Sequence, residues 1–269
     1  MQPIRIVDAD DPRIAAYREL RERDLVGRQG RFVAEGKVVL DILLRGSRFV
    51  PESVLVLESR LPGLADILGR APAELPVYVA DTALLQAVAG FHVHRGILAI
   101  GRSPAPETVD GALSALPQRA IVLALVGISN HDNMGGLFRN AAAFGAGAVL
   151  LDGTCCDPLY RKAIRVSVGA VLTMPFAAAA DVDALGAALA RHGFSGLALS
   201  PSGTVDIRDV DRCDRMALYL GTEGTGLPAS VLATMTTARI AMRPGFDSLN
   251  VATASAIALH RLHEGMDLV

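Results

Sequence analysis

Three segments of the chain carry glycines and polar side chains directly after an apolar stretch that is typical of a β-strand. They are residues 127–146, 220–228 and 240–260. In open α/β sheets, ligands bind at the carboxyl ends of the strands, where such loops meet. Glycine lets the backbone approach a ligand closely, and asparagine, glutamate and arginine supply donors, acceptors and charge. The pattern therefore predicts one binding or catalytic site built from the three segments.

The first segment contains Asn133 and Arg139, with two glycines between them. A helix is predicted from about Met134 to Phe144, and its other side chains are mostly small and apolar. A guanidinium in such a helix either reaches past its neighbours to solvent or holds an anion. Because Asn133 and Arg139 are six positions apart, they converge only if Asn133 lies in the loop before the helix.

The second segment has three glycines within six residues, Gly221 and Gly226 among them, around the carboxylate of Glu223. That carboxylate is either an anionic contact for a ligand or a loop side chain near the start of the next helix. In the third segment, Ser248 or the aspartate before it is expected to cap the last helix, with Asn250 in the first helical turn. Capping alone accounts for Ser248.

The elements that position these segments alternate between strands and helices. Residues 121–127 are continuously apolar, as expected of a strand buried on both faces, and repeated strand–helix units follow. This alternation predicts a parallel sheet with helices on both faces, in a domain at 119–269. Short strands and two helical stretches predict a smaller αβ domain at 1–102. The proline-rich residues 103–118 are typical of a linker.

Several common chemistries lack their sequence signatures. There is no GxGxxG after a strand and no GxxxxGK[ST], which excludes the usual dinucleotide and P-loop fingerprints. Ser129 lacks the second glycine of a nucleophile elbow. The histidine pairs at 92 and 94 and at 260 and 263 have no third ligand, so we expect no metal. The adjacent Cys155 and Cys156 have no neighbouring base and are assigned a structural role.

Hydropathy predicts a protein without a membrane partner. No apolar run reaches the ~18–20 residues that span a bilayer, and the N-terminus lacks the apolar block of a secretory signal. A cytoplasmic protein is therefore expected.

The distribution of charge predicts RNA contacts in one segment of the chain rather than over the whole surface. The net charge of −2 gives no overall basic field. Residues 13–48, however, hold nine basic side chains, eight of them arginines, against five acidic ones. Arginine's planar fork suits phosphate, so RNA contacts are predicted here, at Arg28, Arg31 and Lys37 among others. A solvated helix face explains much of this cluster equally well.

Taken in order, the three segments resemble the motifs of the SpoU (TrmH-like) RNA 2′-O-ribose methyltransferases of the SPOUT class. The first motif, an asparagine followed by a glycine and an arginine, is present as Asn133, Gly135 and Arg139. The second, L-G-x-E-G-x-G-L, stands at 220–227, and the third, I-x-M followed by S-L-N-V, at 240–251. The resemblance covers about residues 120–265, with one departure at Ala241, where many members have proline. Residues 31–102 resemble the ribosomal-protein-like substrate-binding domain of many members.

The resemblance implies a parallel α/β fold with a C-terminal trefoil knot, S-adenosylmethionine as methyl donor, and a homodimer. It implies a donor pocket that includes Gly221, Gly226, Ile240, Met242 and Leu249. It implies an active site that includes Asn133, Arg139, Glu223, Ser248 and Asn250.

The implied reaction is an in-line displacement at a sulfonium methyl group by a ribose hydroxyl, which is mainly a matter of positioning and requires no metal. Because a guanidinium stays protonated in proteins, we expect Arg139 to bind the adjacent phosphate and stabilise the developing alkoxide. A neighbouring group or water would take the proton.

Three alternatives stay open at this point. Ribosomal RNA is the preferred substrate because of the extra N-terminal domain, and transfer RNA is the alternative. A non-catalytic RNA-binding relic of the fold would be supported by the absence of donor binding. A nucleotide-binding oxidoreductase on a doubly wound sheet is opposed by the missing glycine fingerprint.

Overall fold

Short strands from the N-terminal part of the chain form one sheet, and the longer apolar runs after residue 119 form another. In the computed structural model, residues 2–18, 30–90, 93 and 95–263 are described. The chain divides into a first unit, residues Met1–Ala105 and Leu159–Thr173, and a second unit, residues Pro106–Pro158 and Met174–Val269.

The described residues form twelve strands and nine α-helices. The strands are β1 Ile4–Arg5, β2 Arg31–Glu35, β3 Val50–Leu57, β4 Val77–Ala80, β5 Ile97–Arg102, β6 Ala120–Leu125, β7 Ala148–Leu151, β8 Phe176–Ala178, β9 Ser195–Leu199, β10 Val205–Asp206, β11 Arg215–Leu220 and β12 Thr236–Arg239. The helices are α1 Lys37–Leu44, α2 Ala65–Leu68, α3 Thr82–Ala89, α4 Val109–Ser114, α5 His131–Ala143, α6 Arg161–Val166, α7 Val182–Arg191, α8 Ala229–Leu232 and α9 Val251–His263.

The first unit is built on a mixed sheet of order β1-β4-β3-β5-β2. Strand β4 runs parallel to β1 and β3, whereas β5 runs antiparallel to β2 and β3. The strands and helices predicted between residues 31 and 102 are confirmed. The Asp81 carboxylate accepts the backbone N–H of Leu84 at 2.8 Å and caps α3, as its position before a helical pattern predicts.

The second unit contains a seven-stranded sheet of order β10-β12-β9-β11-β6-β7-β8, and every pair of neighbouring strands is parallel. All six residues of β6 are buried, which confirms the strand predicted from the continuous apolar run. Strands β9, β11 and β6 are neighbours, and β12 lies beside β9. The loops that follow these four strands therefore leave the sheet at the same edge.

Two chain segments differ from the predicted organisation. Residues 103–118, predicted to be a linker, contain α4, which is capped by the Thr108 hydroxyl and buries Val109 and Leu113 in the core of the second unit. Helix α6 lies within the predicted larger domain by sequence but belongs to the first unit. There, Arg161 donates to the buried carboxylate of Glu35 at 2.6 Å. Local sequence cannot reveal an ion pair between residues 126 positions apart.

Two helices also begin at residues other than those predicted. Helix α5 begins at His131, three residues early, because the Asn130 side chain accepts the N–H of Asp132 at 2.8 Å and caps it. Helix α9 begins at Val251 rather than directly after a cap at Asp247 or Ser248. No helix among the described residues is long and apolar enough to cross a membrane.

Candidate active site

A cavity of about 570 Å³ opens at the carboxyl edge of the parallel sheet in the second unit. The loops after β9 and β11 and the chain between β12 and α9 line it. Eight of the residues singled out in the sequence are among its lining residues: Gly221, Glu223, Gly226, Ile240, Met242, Ser248, Leu249 and Asn250. The second and third polar segments thus meet around one space.

A hydrogen-bonded triangle joins all three segments at the rim of this cavity. The Asn133 amide Nδ2 donates to Oε1 of Glu223 at 2.7 Å. The Asn250 Nδ2 donates to the same Oε1 at 2.9 Å and to Oδ1 of Asn133 at 2.8 Å. Asn133 is 6% exposed, whereas Glu223 is exposed. Hydrogen bonds from the described residues therefore fix one oxygen of the carboxylate and leave Oε2 open to an incoming group.

Asn250 has a role that the sequence reading assigned to Asp247 or Ser248. Its Oδ1 accepts the backbone N–H groups of Ala252 at 3.0 Å and Thr253 at 3.2 Å, so Asn250 caps α9. The prediction that Asn250 lies in the first helical turn is wrong, and Ser248 lies in the exposed loop before it. One side chain thus sets the start of the last helix with its oxygen and binds Asn133 and Glu223 with its nitrogen.

The loop after β11 folds back tightly on itself, and this explains its glycines. Thr222 and Gly226 pair in an isolated antiparallel bridge, and Gly226 has a φ of 68°, which favours glycine. A Cβ on Gly221 would lie 2.4 Å from the carbonyl carbon of Gly226 and 2.5 Å from the nitrogen of Leu227. Gly221 therefore allows the returning backbone to pack against the end of the strand, and this contact shapes the cavity wall.

Arg139 is not brought to the cavity in this chain. Asn133 lies inside α5, so the condition under which Asn133 and Arg139 would converge is not met. The helix directs other residues toward α9: Asn140 donates to the carbonyl of Ala252 at 2.6 Å, and a Cβ on Gly136 would lie 2.7 Å from that of Ala252. Arg139 is exposed and forms no hydrogen bond or ion pair with the described part of the chain.

Sequence reasoning missed the loop after β9, where Ser200, Pro201 and Ser202 also line the cavity. Gly203 then passes against the backbone of β12, where a Cβ would lie 2.3 Å from the carbonyl carbon of Ala238. The signal was available: the segment S-P-S-G follows a predicted strand and obeys the rule that selected the other loops.

The cysteines near this edge of the sheet are poor nucleophiles. Burial raises the pKa of Cys155 to about 12 and that of Cys156 to about 11. The Cys155 sulfur accepts the backbone N–H of Ile128 at 3.3 Å, so it helps to hold the loop after β6. These observations support the structural role predicted for both residues. Among the described residues, no group of three or more His, Cys, Asp or Glu side chains is placed to hold a metal ion.

Two of the three residues predicted to contact RNA are described in the first unit. Arg31 and Lys37 lie in the first unit, and Arg28 lies outside the described residues. Arg31 donates from Nε to the Glu52 carboxylate at 2.7 Å, whereas Lys37 is exposed at the start of α1.

The sequence profile of the SpoU rRNA Methylase family matches residues 120–260, which include all three polar segments. The chain belongs to the SpoU family. It is similar to an uncharacterised tRNA/rRNA methyltransferase of Mycobacterium tuberculosis, with 39% identity over 266 residues that cover 95% of this chain and 90% of that protein. The family predicted from the motifs is confirmed.

Two solved structures share the fold of this SpoU-family chain. A crystallised RNA 2′-O ribose methyltransferase is 28% identical, with a TM-score of 0.78 and coverage of 97% of this chain and 98% of that one. An rRNA methyltransferase from Sinorhizobium meliloti with bound AdoMet is 23% identical, with a TM-score of 0.80 and coverage of 98% of both chains. The predicted α/β fold with a parallel sheet is confirmed, and as a SpoU-family member the protein is an RNA methyltransferase.

Proposed function

We propose that the protein transfers a methyl group from S-adenosylmethionine to a ribose 2′-hydroxyl of RNA, with ribosomal RNA as the preferred substrate. The observation that carries the proposal is the triangle of Asn133, Glu223 and Asn250 at the rim of a glycine-walled cavity. The fold shared with a 2′-O ribose methyltransferase supports the ribose as acceptor. The additional N-terminal unit supports a large RNA substrate, with transfer RNA as the alternative.

The cavity fits the donor by size and by lining. Its volume of about 570 Å³ lies within the usual range for small-molecule sites. Ile240, Met242 and Leu249 give it an apolar wall that suits an adenine ring, and loop backbone supplies donors and acceptors. Glu223 is the acidic side chain among its described lining residues, which suits a positively charged ligand. When bound, S-adenosylmethionine supplies a methyl group on a positively charged sulfonium centre.

The chain's own residues supply positioning and charge. Asn133 and Asn250 hold Glu223 and the two loops around the cavity in one arrangement, which lowers the entropic cost of aligning two reactants. Arg139 binds the phosphate next to the target ribose and stabilises the developing alkoxide. A neighbouring group or water accepts the hydroxyl proton.

In a homodimer, Arg139 would lie against the second copy of the chain. Arg139 lies on an exposed face of α5, and α9 exposes Ile257, which is 40% accessible, beside small residues. A twofold dimer places the same surface against itself, so packing through α5 and α9 carries Arg139 against the second copy. We infer that the active enzyme is this homodimer. Sedimentation of a monomer at micromolar concentration would count against it.

We also infer a trefoil knot in the second unit, as in the SPOUT class. The strand order supports it, because β11 lies between β9 and β6 while β12 lies on the far side of β9. An experimental structure that traces residues 221–251 without a threaded crossing would refute this inference.

The function is tested by binding and by product analysis. Calorimetry with S-adenosylmethionine should show saturable binding, and radiolabelled donor should transfer its methyl group to unmodified ribosomal RNA. A 2′-O-methyl product resists alkaline hydrolysis at that position, whereas a methylated base does not protect the backbone. Absence of donor binding at millimolar concentration would favour an RNA-binding relic, and label on a base would refute ribose methylation.

A further inference from the structure

A second cavity, of about 450 Å³, lies in the first unit and gathers positive charge. Its described lining residues include three cations and no acidic side chain: Lys37, Arg60 and Arg95. The remaining lining residues are Val38, Gly63, Leu64 and Ile97, which are apolar or lack a side chain. We call this space the cationic cavity.

Two glycines allow the arginines to reach it. Gly36 has a φ of 95°, and a Cβ there would lie 2.7 Å from Cδ and 3.0 Å from Nη1 of Arg95. Gly96 has a φ of 64°, and a Cβ there would lie 3.3 Å from Cγ of Arg60 and closer still to Leu57. The side chains of Arg95 and Arg60 therefore pack against the backbone of these glycines, where a larger residue would collide with them.

The three cations are not neutralised by the described parts of the chain. Lys37, Arg60 and Arg95 are exposed and form no ion pair or hydrogen bond there. Two carboxylates close to these residues in sequence form ion pairs with other arginines: Glu35 with Arg161 and Glu58 with Arg5. Asp41, on α1, is bound by two other arginines. Like charges around one space repel each other, and an anion between them removes that repulsion.

We propose that the cationic cavity binds a phosphodiester of the RNA chain, with the attached ribose or base against Val38 and Leu64. The inference rests on the proposed function for its source of phosphate. Guanidinium forks bind phosphate oxygens in pairs, and Lys37 adds a point charge. Gly36 caps the eight-residue α1 without a side chain, so the N–H groups of its first turn also favour an anion. The volume exceeds that of a bare phosphate, and the apolar lining suits the attached nucleoside.

Gly63 offers a test with a matched control, because a Cβ there meets no heavy atom within 4 Å. Gly63→Glu introduces a carboxylate among the cations, and Gly63→Gln introduces a side chain of the same size without charge. We expect Gly63→Glu to weaken binding of a short single-stranded RNA about tenfold. It should also lower the slope of log affinity against log salt by about 0.7. Gly63→Gln should stay within about twofold of the parent. Equal effects of the two variants would overturn the proposal.

A second pair of variants removes charge instead of adding it. Arg95→Gln should weaken RNA binding and lower the salt slope, whereas Arg70→Gln, which removes an equally charged but ion-paired arginine of the same unit, should not. Inorganic phosphate should compete only at concentrations far above that of the RNA. If it competes at comparable concentration, the cavity serves free phosphate and the RNA assignment is wrong.

Donor calorimetry separates this inference from the proposed function. All four variants should bind S-adenosylmethionine like the parent protein, because none of the residues lines the donor cavity. If the parent protein does not bind S-adenosylmethionine, the proposed function is refuted. Binding of RNA by the cationic cavity is then decided by the RNA titration of the same four variants.

Discussion

Asn133 and Glu223 are ninety positions apart and are joined by a hydrogen bond of 2.7 Å from the asparagine amide to Oε1 of the carboxylate. The bond links α5 to the loop after β11. Asn250 donates to the same oxygen and at the same time caps the last helix. Because the shared acceptor is a carboxylate oxygen, these two bonds are expected to be stronger than hydrogen bonds between neutral groups. The arrangement of the rim therefore depends on a few side chains.

Replacement of Asn133 should show how much this rim depends on one amide. Asn133→Ala is expected to lower the free energy of unfolding by about 1–3 kcal/mol, because Glu223 loses a donor and Asn250 an acceptor. Asn133→Asp keeps the shape but puts a second carboxylate against Oε1, so a larger loss is expected at about pH 8. The introduced carboxyl would hold its proton more tightly in the folded than in the unfolded chain, so stability should fall as pH rises. Urea unfolding should therefore show partial recovery of Asn133→Asp at about pH 5. Equal losses for both variants at both pH values would contradict this account.

Gly221 should be sensitive to a single methyl group. Gly221→Ala places a Cβ within 2.6 Å of backbone atoms of Gly226 and Leu227, so the loop must move away from the strand end. We expect affinity for S-adenosylmethionine to fall by about tenfold or more, measured by calorimetry. Gly186→Ala is the control, because a Cβ there meets only the Tyr219 hydroxyl at 3.7 Å and favours the helix by about 0.5–1 kcal/mol. Donor affinity unchanged in Gly221→Ala would show that this contact does not shape the cavity.

Arg139 should matter for turnover and not for folding. The side chain is exposed, so Arg139→Ala should change the free energy of unfolding by no more than about 0.5 kcal/mol. We expect kcat/KM to fall by about 10²–10³ and RNA affinity to fall with it, because the charge contributes to phosphate binding and to the transition state. Arg139→Lys should be nearly as poor, since the fork is lost. Abolished turnover with normal RNA affinity would disprove the anchoring role.

Local pattern accounts for much of the fold. The apolar run at β6 predicts a strand buried on both faces, and Asp81 before a helical pattern predicts the cap that forms. The errors arise where a side chain bonds beyond its neighbours in sequence. Asn130 extends α5 by one turn, and Asn250 replaces Ser248 as the cap of α9 because its amide also meets Asn133 and Glu223.

The sequence predicted many of the residues of the candidate site but not the hydrogen bonds and ion pairs between distant side chains. Order and spacing of the motifs select eight of the residues that line the cavity, because the carboxyl ends of parallel strands meet at one edge. The roles of these residues stay predictions. The position of Arg139 depends on where α5 begins, and the ion pair of Glu35 with Arg161 depends on tertiary packing. Arg60 packs against Gly96 and Arg95 packs against Gly36, and both glycines are distant from their arginine in sequence. The number of charged residues in a sequence segment does not predict such contacts.

The two adjacent cysteines should resist alkylation in the folded protein. With pKa values of about 12 for Cys155 and about 11 for Cys156, against 9.0 for an ordinary thiol, very little thiolate exists near neutrality. At about pH 8, iodoacetamide should label Cys155 roughly a thousandfold and Cys156 roughly a hundredfold more slowly than in the urea-unfolded chain, which serves as the control. The folded state holds these protons more tightly, so stability is present below the unfolded pKa and is lost as pH rises from about 9 toward 12. Mass spectrometry of labelled peptides measures each site separately. Labelling of folded protein at the unfolded rate would show that this edge of the sheet opens to solvent and that burial does not protect the thiols.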